Sequence, residues 1–190
     1  MDEDARLTTR SNADSQDDSD SASTLHNRSR AVEAATILPP SAEQEVLFSN
    51  QPAHLWKRRR QELLQWTERD KTTVSPKRTT LWNGIEVDFQ LVSALDLMSQ
   101  KGMLTEYSCA GVSPLDEPVD HSLYAYVTLV QNGAADQFVE FAMNRMRNRL
   151  LVTLDQLTGR YDLSSFFIGH NRSFCWWMQH CAAQFEIRNE

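Results

Sequence analysis

The pattern of hydrophobic and polar positions divides the chain into three parts. From residue 10 to residue 30 the sequence is mostly Ser, Asp, Asn and Arg, with Leu25 as the single large aliphatic residue. Such a segment cannot bury enough apolar surface to offset the entropy lost on folding. We therefore predict a disordered, acidic and Ser-rich tail over residues 1–50, a basic helix and linker over 51–78, and an α/β domain over 79–190.

In the second part, the pattern predicts one helix from Pro52 to about Asp70. Its large apolar residues form one narrow stripe, Leu55, Trp56, Leu63 and Trp66. Basic residues lie between them, and two interpretations stay open. The basic side can be an ordinary solvated helix face. It can also be a nucleic-acid-binding surface whose cations contact phosphates and whose tryptophans stack on bases, formed by Trp56, Lys57, Arg58, Arg59, Arg60 and Trp66.

The third part alternates between helix-type and strand-type patterns. Helical spacing of apolar residues occurs over 88–101, 134–149 and 174–185, and strand patterns occur over 103–109, 122–130, 150–154 and 161–169. Asp88 is placed to cap the first helix, and Gly102 is placed to end it. Thr158-Gly159 marks a turn between the last two strand patterns and predicts a hairpin there. The order of helices and strands predicts an α+β fold with a mixed β-sheet and helices packed mainly on one face.

Composition and charge limit the classes of protein to consider. A chain of 190 residues with 41% apolar residues has room for one ordinary domain and a tail. No stretch approaches the roughly 20 apolar residues that span a bilayer, and the acidic N-terminus lacks the apolar run of a secretory signal. Three irregularly spaced cysteines indicate a reducing compartment rather than a disulfide framework. We expect a cytoplasmic protein that makes no membrane contact.

Two chain reversals carry groups that could hold a ligand. A strand ends in small residues at Ser108–Gly111, where backbone N–H groups can approach a ligand, although the same residues also suit a tight turn. A second strand ends just before the N-terminus of the last helix, where N–H groups attract anions, although a plain helix cap fits too. We predict that both turns line one cleft for a cofactor or substrate, formed by Tyr107, Ser108, Cys109, Ala110, Gly111, His170, Asn171 and Arg172.

Catalytic and metal-binding groups are not evident in the sequence. We interpret Cys109 as a buried structural cysteine rather than a nucleophile, because free cysteine is among the most buried residue types. Three potential zinc ligands share the last helix, Cys175, His180 and Cys181, but their spacing places them on diverging faces. We therefore expect no metal site. The glycine-rich motifs of Rossmann and P-loop nucleotide sites are absent as well, and no catalytic residue can be assigned.

The turn Ser108-Cys109-Ala110-Gly111, with the order of elements around it, resembles the wybutosine-synthesis methyltransferase family. That family methylates 4-demethylwyosine in phenylalanine tRNA with S-adenosylmethionine, and its signature is Ser-Ser-Cys-(Ser/Ala)-Gly-Arg. The resemblance covers about residues 54–185. In this chain, Tyr107 replaces the first Ser of the signature and Val112 replaces the Arg.

The resemblance implies a methyltransferase-like protein that uses S-adenosylmethionine to modify a tRNA base. Methyl transfer needs mainly alignment and desolvation of the nucleophile, so no catalytic dyad is required. Val112 cannot replace the fork-shaped donor that an Arg offers. The alternative is therefore a non-catalytic module on the same fold that binds a nucleotide or a small anion. A third interpretation is a scaffold whose basic helix docks a protein partner.

Overall fold

The computed structural model describes residues 45–70, 76, 78–113 and 121–188. Its strands are β1 (Glu45–Leu47), β2 (Thr79–Trp82), β3 (Ile85–Asp88), β4 (Thr105–Cys109), β5 (Tyr126–Val130), β6 (Leu150–Asp155) and β7 (Arg160–Ser165). Its helices are α1 (Ala53–Glu68), α2 (Val92–Gln100), α3 (Gly133–Met146) and α4 (Asn171–Gln184), with 3₁₀ turns at Arg147–Arg149 and Ile168–His170. The predicted α+β class is confirmed.

Five strands form one sheet in the order β1-β6-β7-β5-β4, and every neighbouring pair in it is antiparallel. The predicted mixed sheet is therefore wrong. Helix α3 returns the chain to a strand that runs parallel to β5, but β7 lies between the two and is antiparallel to both. The predicted hairpin between the strands on either side of Thr158-Gly159 is confirmed as β6–β7.

Helices α2, α3 and α4 pack on one face of this sheet, in agreement with the prediction. The shared core includes Leu95 and Met98 of α2, Phe138 of α3 and Met178 of α4, all at most 1% exposed. The strands contribute alternate residues to this core, among them Val127, Leu129, Val152, Tyr161 and Leu163. No helix in the described part of the chain is long and apolar enough to cross a membrane.

Helix α1 packs at the end of the sheet where β7 terminates. Its buried Trp66 joins Val112 and Ile168 in a second apolar cluster, against which Leu63 also packs. Arg59 donates hydrogen bonds to the main-chain carbonyls of Ser165, at 3.1 Å, and of Phe166. The predicted apolar stripe is thus the face of α1 that contacts the domain.

Strand β1 lies inside the segment that the sequence analysis assigned to a disordered tail. Glu45–Leu47 pair with β6. Gln51, which is buried, donates a hydrogen bond of 2.5 Å from its amide to the Leu150 carbonyl. The predicted boundary at residue 50 is therefore wrong, because β1 forms through a partner strand about a hundred residues later in the chain. The remainder of the predicted tail, residues 1–44, lies outside the described residues.

A hairpin that was not predicted, β2–β3, precedes α2. Its turn is Asn83-Gly84, with positive φ angles of 49° and 80°, and Asn-Gly is the preferred pair for a type I′ hairpin turn. The predicted side-chain cap by Asp88 is wrong, because this carboxylate accepts a hydrogen bond from the Ala110 N–H instead. Gly102, with φ of 72°, follows the end of α2 as predicted.

Candidate functional site

The two predicted turns meet in the structure, but a side chain of the protein fills the space between them. The Asn171 amide donates to the carbonyls of Val112 (2.7 Å) and Leu123 (2.8 Å) and accepts from the Ala125 N–H (2.9 Å). Asn171 is only 2% exposed. Gly111 lies so close that a Cβ atom there would come within 2.4 Å of the Asn171 amide. The predicted cleft between the turns is therefore occupied by packed protein atoms.

The backbone N–H groups before the last helix, which the sequence predicted to bind an anion, are hydrogen-bonded within the protein. The Glu62 carboxylate on α1 accepts from the N–H groups of Ile168 (2.8 Å) and Gly169 (2.9 Å). Nearby Arg172 is exposed. Burial and the positive charges of Arg149 and Arg58 lower the pKa of His170, against an opposing effect of Glu62. This turn therefore presents a weakly basic imidazole beside an internal carboxylate.

The face of the sheet opposite helices α2–α4 forms a groove with a volume of about 510 Å³. Its lining is rich in tyrosines and small polar residues, Glu45, Tyr107, Ser122, Tyr124, Tyr126, Thr128, Leu151, Thr153, Arg160, Asp162 and Ser164. Thr128 donates a 2.5 Å hydrogen bond to Asp162. Of the predicted cleft residues, Tyr107 lines this groove. Ser108 pairs with Val127, a core residue, and so belongs to the helix-covered face.

Cys109 lies at the edge of the same groove, and it has chemical neighbours that the sequence analysis missed. It pairs with Tyr126 across the strands, so both side chains share one face. A carboxylate oxygen of Asp88 and a ring nitrogen of His121 lie near the Cys109 sulfur, and these three atoms are all within 4.8 Å of one another. The distance from the Cys109 Sγ to the His121 Nδ1 is 3.8 Å. Because the three residues are far apart in the sequence, their spacing did not indicate that they share a site.

A second surface, which we name the arginine patch, consists of Arg58, Arg145, Arg147, Arg149 and Trp177. Arg145, Arg147, Arg149, Trp177 and His180 line a cavity of about 530 Å³. The Arg149 guanidinium lies 5.7 Å from the Trp177 ring. Trp176 beside the patch is 55% exposed and stacks on the His180 ring at 5.0 Å.

Helix α1 connects the two surfaces. Arg58 lies 4.9 Å from the Phe167 ring and close enough to His170 to influence its pKa. Arg59 lies 3.7 Å from the ring of Tyr124, which lines the groove. The helical pattern over 134–149 includes Arg145–Arg149, but it did not predict the patch. An Arg-x-Arg-x-Arg run after a helix is a weak but readable signal of concentrated positive charge.

The predicted nucleic-acid-binding residues of α1 separate into two groups. Lys57, Arg58 and Arg60 are exposed. Trp66 is 8% exposed, and the Arg69 guanidinium lies 3.3 Å from its ring centre, so Trp66 cannot stack on a base. Trp56 and Arg59 also pack against the domain. Trp56 contacts Phe166 edge to face at 5.0 Å, and Arg59 donates hydrogen bonds to main-chain carbonyls. Intramolecular packing thus takes the place of the predicted RNA contact for Trp66 and Arg59, whereas Trp56 is half-buried and its predicted contact stays a prediction.

Comparison with protein-family models, curated proteins and solved structures finds no match for this chain. The resemblance to the wybutosine-synthesis methyltransferases therefore stays a prediction.

Proposed function

We propose that the protein binds RNA through the arginine patch. The observation that carries the proposal is the convergence of four arginines from two separate segments on a surface that also bears Trp177 and the exposed Trp176–His180 stack. Guanidinium groups contact backbone phosphates, and aromatic faces stack on unpaired bases. Exposed Lys57 and Arg60 add positive charge along α1. A tRNA, which offers both duplex backbone and unpaired loops, fits this combination.

The test is binding of fluorescently labelled tRNA, measured by anisotropy at several salt concentrations. Replacing Arg145 and Arg149 by Ala should weaken binding and reduce the slope of log affinity against log salt by about 0.7–0.9 per lost phosphate contact. Arg78→Ala is the matched control, because Arg78 is exposed on the β2 side of the domain and packs over Phe89 instead. An equal loss in the control, or no salt-dependent binding by the unaltered protein, would refute the proposal.

A second function, methyl transfer from S-adenosylmethionine to the bound RNA, is supported by the tyrosine-lined groove. Its volume of about 510 Å³ lies within the range typical of small-ligand sites. Tyrosine faces can stack on an adenine ring and attract a sulfonium cation, and Asp162 adds a carboxylate. Tyr107, which belongs to the turn that resembles the methyltransferase signature, is 58% exposed there. If the groove instead holds only a nucleotide, the protein is a binding module.

Thermal-shift assays with S-adenosylmethionine, adenosine and AMP separate these possibilities. A ligand at about 100 times its Kd should add about 2.7 kcal/mol of stability. Tyr107→Ala should remove the shift, whereas Leu81→Ala, at a residue that is 75% exposed outside the groove, should retain it. A cofactor-induced shift accompanied by transfer of a labelled methyl group to tRNA supports the enzyme, and a shift with nucleotides alone supports the binding module. No shift with any of the three contradicts a ligand site in the groove.

A further inference from the structure

We propose that Asp88, Cys109 and His121 bind a zinc ion. The three residues come from the end of β3, the end of β4 and the segment before β5. Each offers one ligand atom, and the three atoms lie within 4.8 Å of one another. This proposal rests on the geometry of the cluster alone and does not depend on RNA binding or on a ligand in the groove.

The distance between the Cys109 and His121 ligand atoms suits tetrahedral zinc. Zinc binds Cys sulfur at about 2.3 Å and His nitrogen at about 2.0–2.1 Å, so tetrahedral geometry places these two atoms about 3.5–3.6 Å apart. The Cys109 Sγ and His121 Nδ1 are 3.8 Å apart, and a shift of a few tenths of an ångström brings them to that distance. A set of one thiolate, one imidazole and one carboxylate favours zinc over magnesium or calcium, which prefer oxygen ligands.

The backbone around the cluster supports negatively charged ligands. The Ala110 N–H donates to Asp88 Oδ2 at 2.6 Å, and the Gly111 N–H donates to the Cys109 Sγ at 3.4 Å. Hydrogen bonds of this kind hold metal ligands in position. Asp88 and Cys109 are each only 7% exposed, whereas His121 is partly exposed and gives the ion a route from solvent.

Zinc held here would connect three segments at the β4 edge of the sheet. Three protein ligands leave the fourth zinc position for water or for a ligand atom, as in catalytic zinc sites. Because Cys109 and Tyr126 share a face of the sheet, the ion would lie at the edge of the groove.

The test is metal binding by the purified full-length chain after treatment with a chelator. We expect one zinc per chain, measured by competition with a chromophoric chelator. Cobalt in place of zinc should give a thiolate-to-cobalt charge-transfer band. Cys109→Ser should abolish that band, and His121→Gln should weaken zinc binding by at least about 10–100-fold, the loss typical of altering even residues that only support ligands. Asp88→Asn retains an acceptor for the Ala110 N–H and should weaken zinc binding as well.

Matched controls are Cys175→Ser and Cys181→Ser, which alter buried cysteines of α4 outside the cluster. Both should retain one zinc per chain and the cobalt band. Circular dichroism of each variant establishes that the chain is folded, and His121→Gln keeps the test decisive if Asp88→Asn fails to fold. Failure of the unaltered protein to bind zinc would overturn the proposal. So would a cobalt band that persists in Cys109→Ser and disappears in the α4 variants.

Discussion

At the scale of single residues, the close approach of Gly111 to Asn171 controls the space between the two chain reversals. Gly111 has a φ of 70°, and a Cβ atom there would lie 2.4 Å from both the Ala125 nitrogen and the Asn171 amide. Asn171 in turn satisfies three backbone groups, two of them buried and one partly buried. Such groups are costly to leave without a partner, so neither residue can change without disturbing the other.

Gly111→Ala should therefore destabilise the protein more than Gly102→Ala. Both glycines have a positive φ, near 70°, but a Cβ at Gly102 would meet nothing within 4 Å. Left-handed backbone alone costs an alanine about 1–2 kcal/mol, and overpacking at Gly111 should add about 1–3 kcal/mol. Urea denaturation measures the free energy of unfolding of each variant. Equal losses at the two positions would contradict the close packing of Gly111 against Asn171.

At the scale of elements, helix α1 is attached to the domain by charged as well as apolar contacts. The Glu62 carboxylate accepts two hydrogen bonds from the turn that precedes α4, where the helix dipole favours negative charge. An internal residue thus supplies the anion that the sequence analysis expected from a ligand. The basic residues of α1 beside the arginine patch depend on this attachment for their position.

Glu62→Ala should destabilise the protein by about 1–3 kcal/mol, because it leaves the partly buried Ile168 N–H without its acceptor. The Gly169 N–H, which also loses its acceptor, is exposed to water. Glu68→Ala is the control on the same helix, since Glu68 is exposed near its C-terminal end. Chemical denaturation compares the two variants. If they lose the same stability, Glu62 does not hold α1 in place, and the position of Arg58 beside His170 needs another explanation.

At the scale of the whole molecule, the described part of the chain has the tyrosine-lined groove on the sheet face away from helices α2–α4. It has the arginine patch on residues of α3, α4, the turn after α3 and α1. Helix α1 contacts the groove through Arg59 and the patch through Arg58. The Asp88, Cys109 and His121 cluster lies at the groove's β4 edge, at the position of the turn that resembles the methyltransferase signature.

Local sequence patterns were enough to predict the α+β class, helix α1 and its buried stripe, the β6–β7 hairpin, and the end of α2 at Gly102. These features depend on local periodicity, turn residues and apolar content, which are properties of short segments. Three features could be seen only in the folded chain: the antiparallel strand order, the pairing of β1 with β6, and the contact of Asp88 and His121 with Cys109. Each of these joins segments far apart in the chain, and local pattern carries no information about such contacts. The structure also places Asn171 between the two turns and Glu62 at the start of α4, where the sequence had predicted a ligand. Only the packed structure shows which polar group satisfies a given backbone donor.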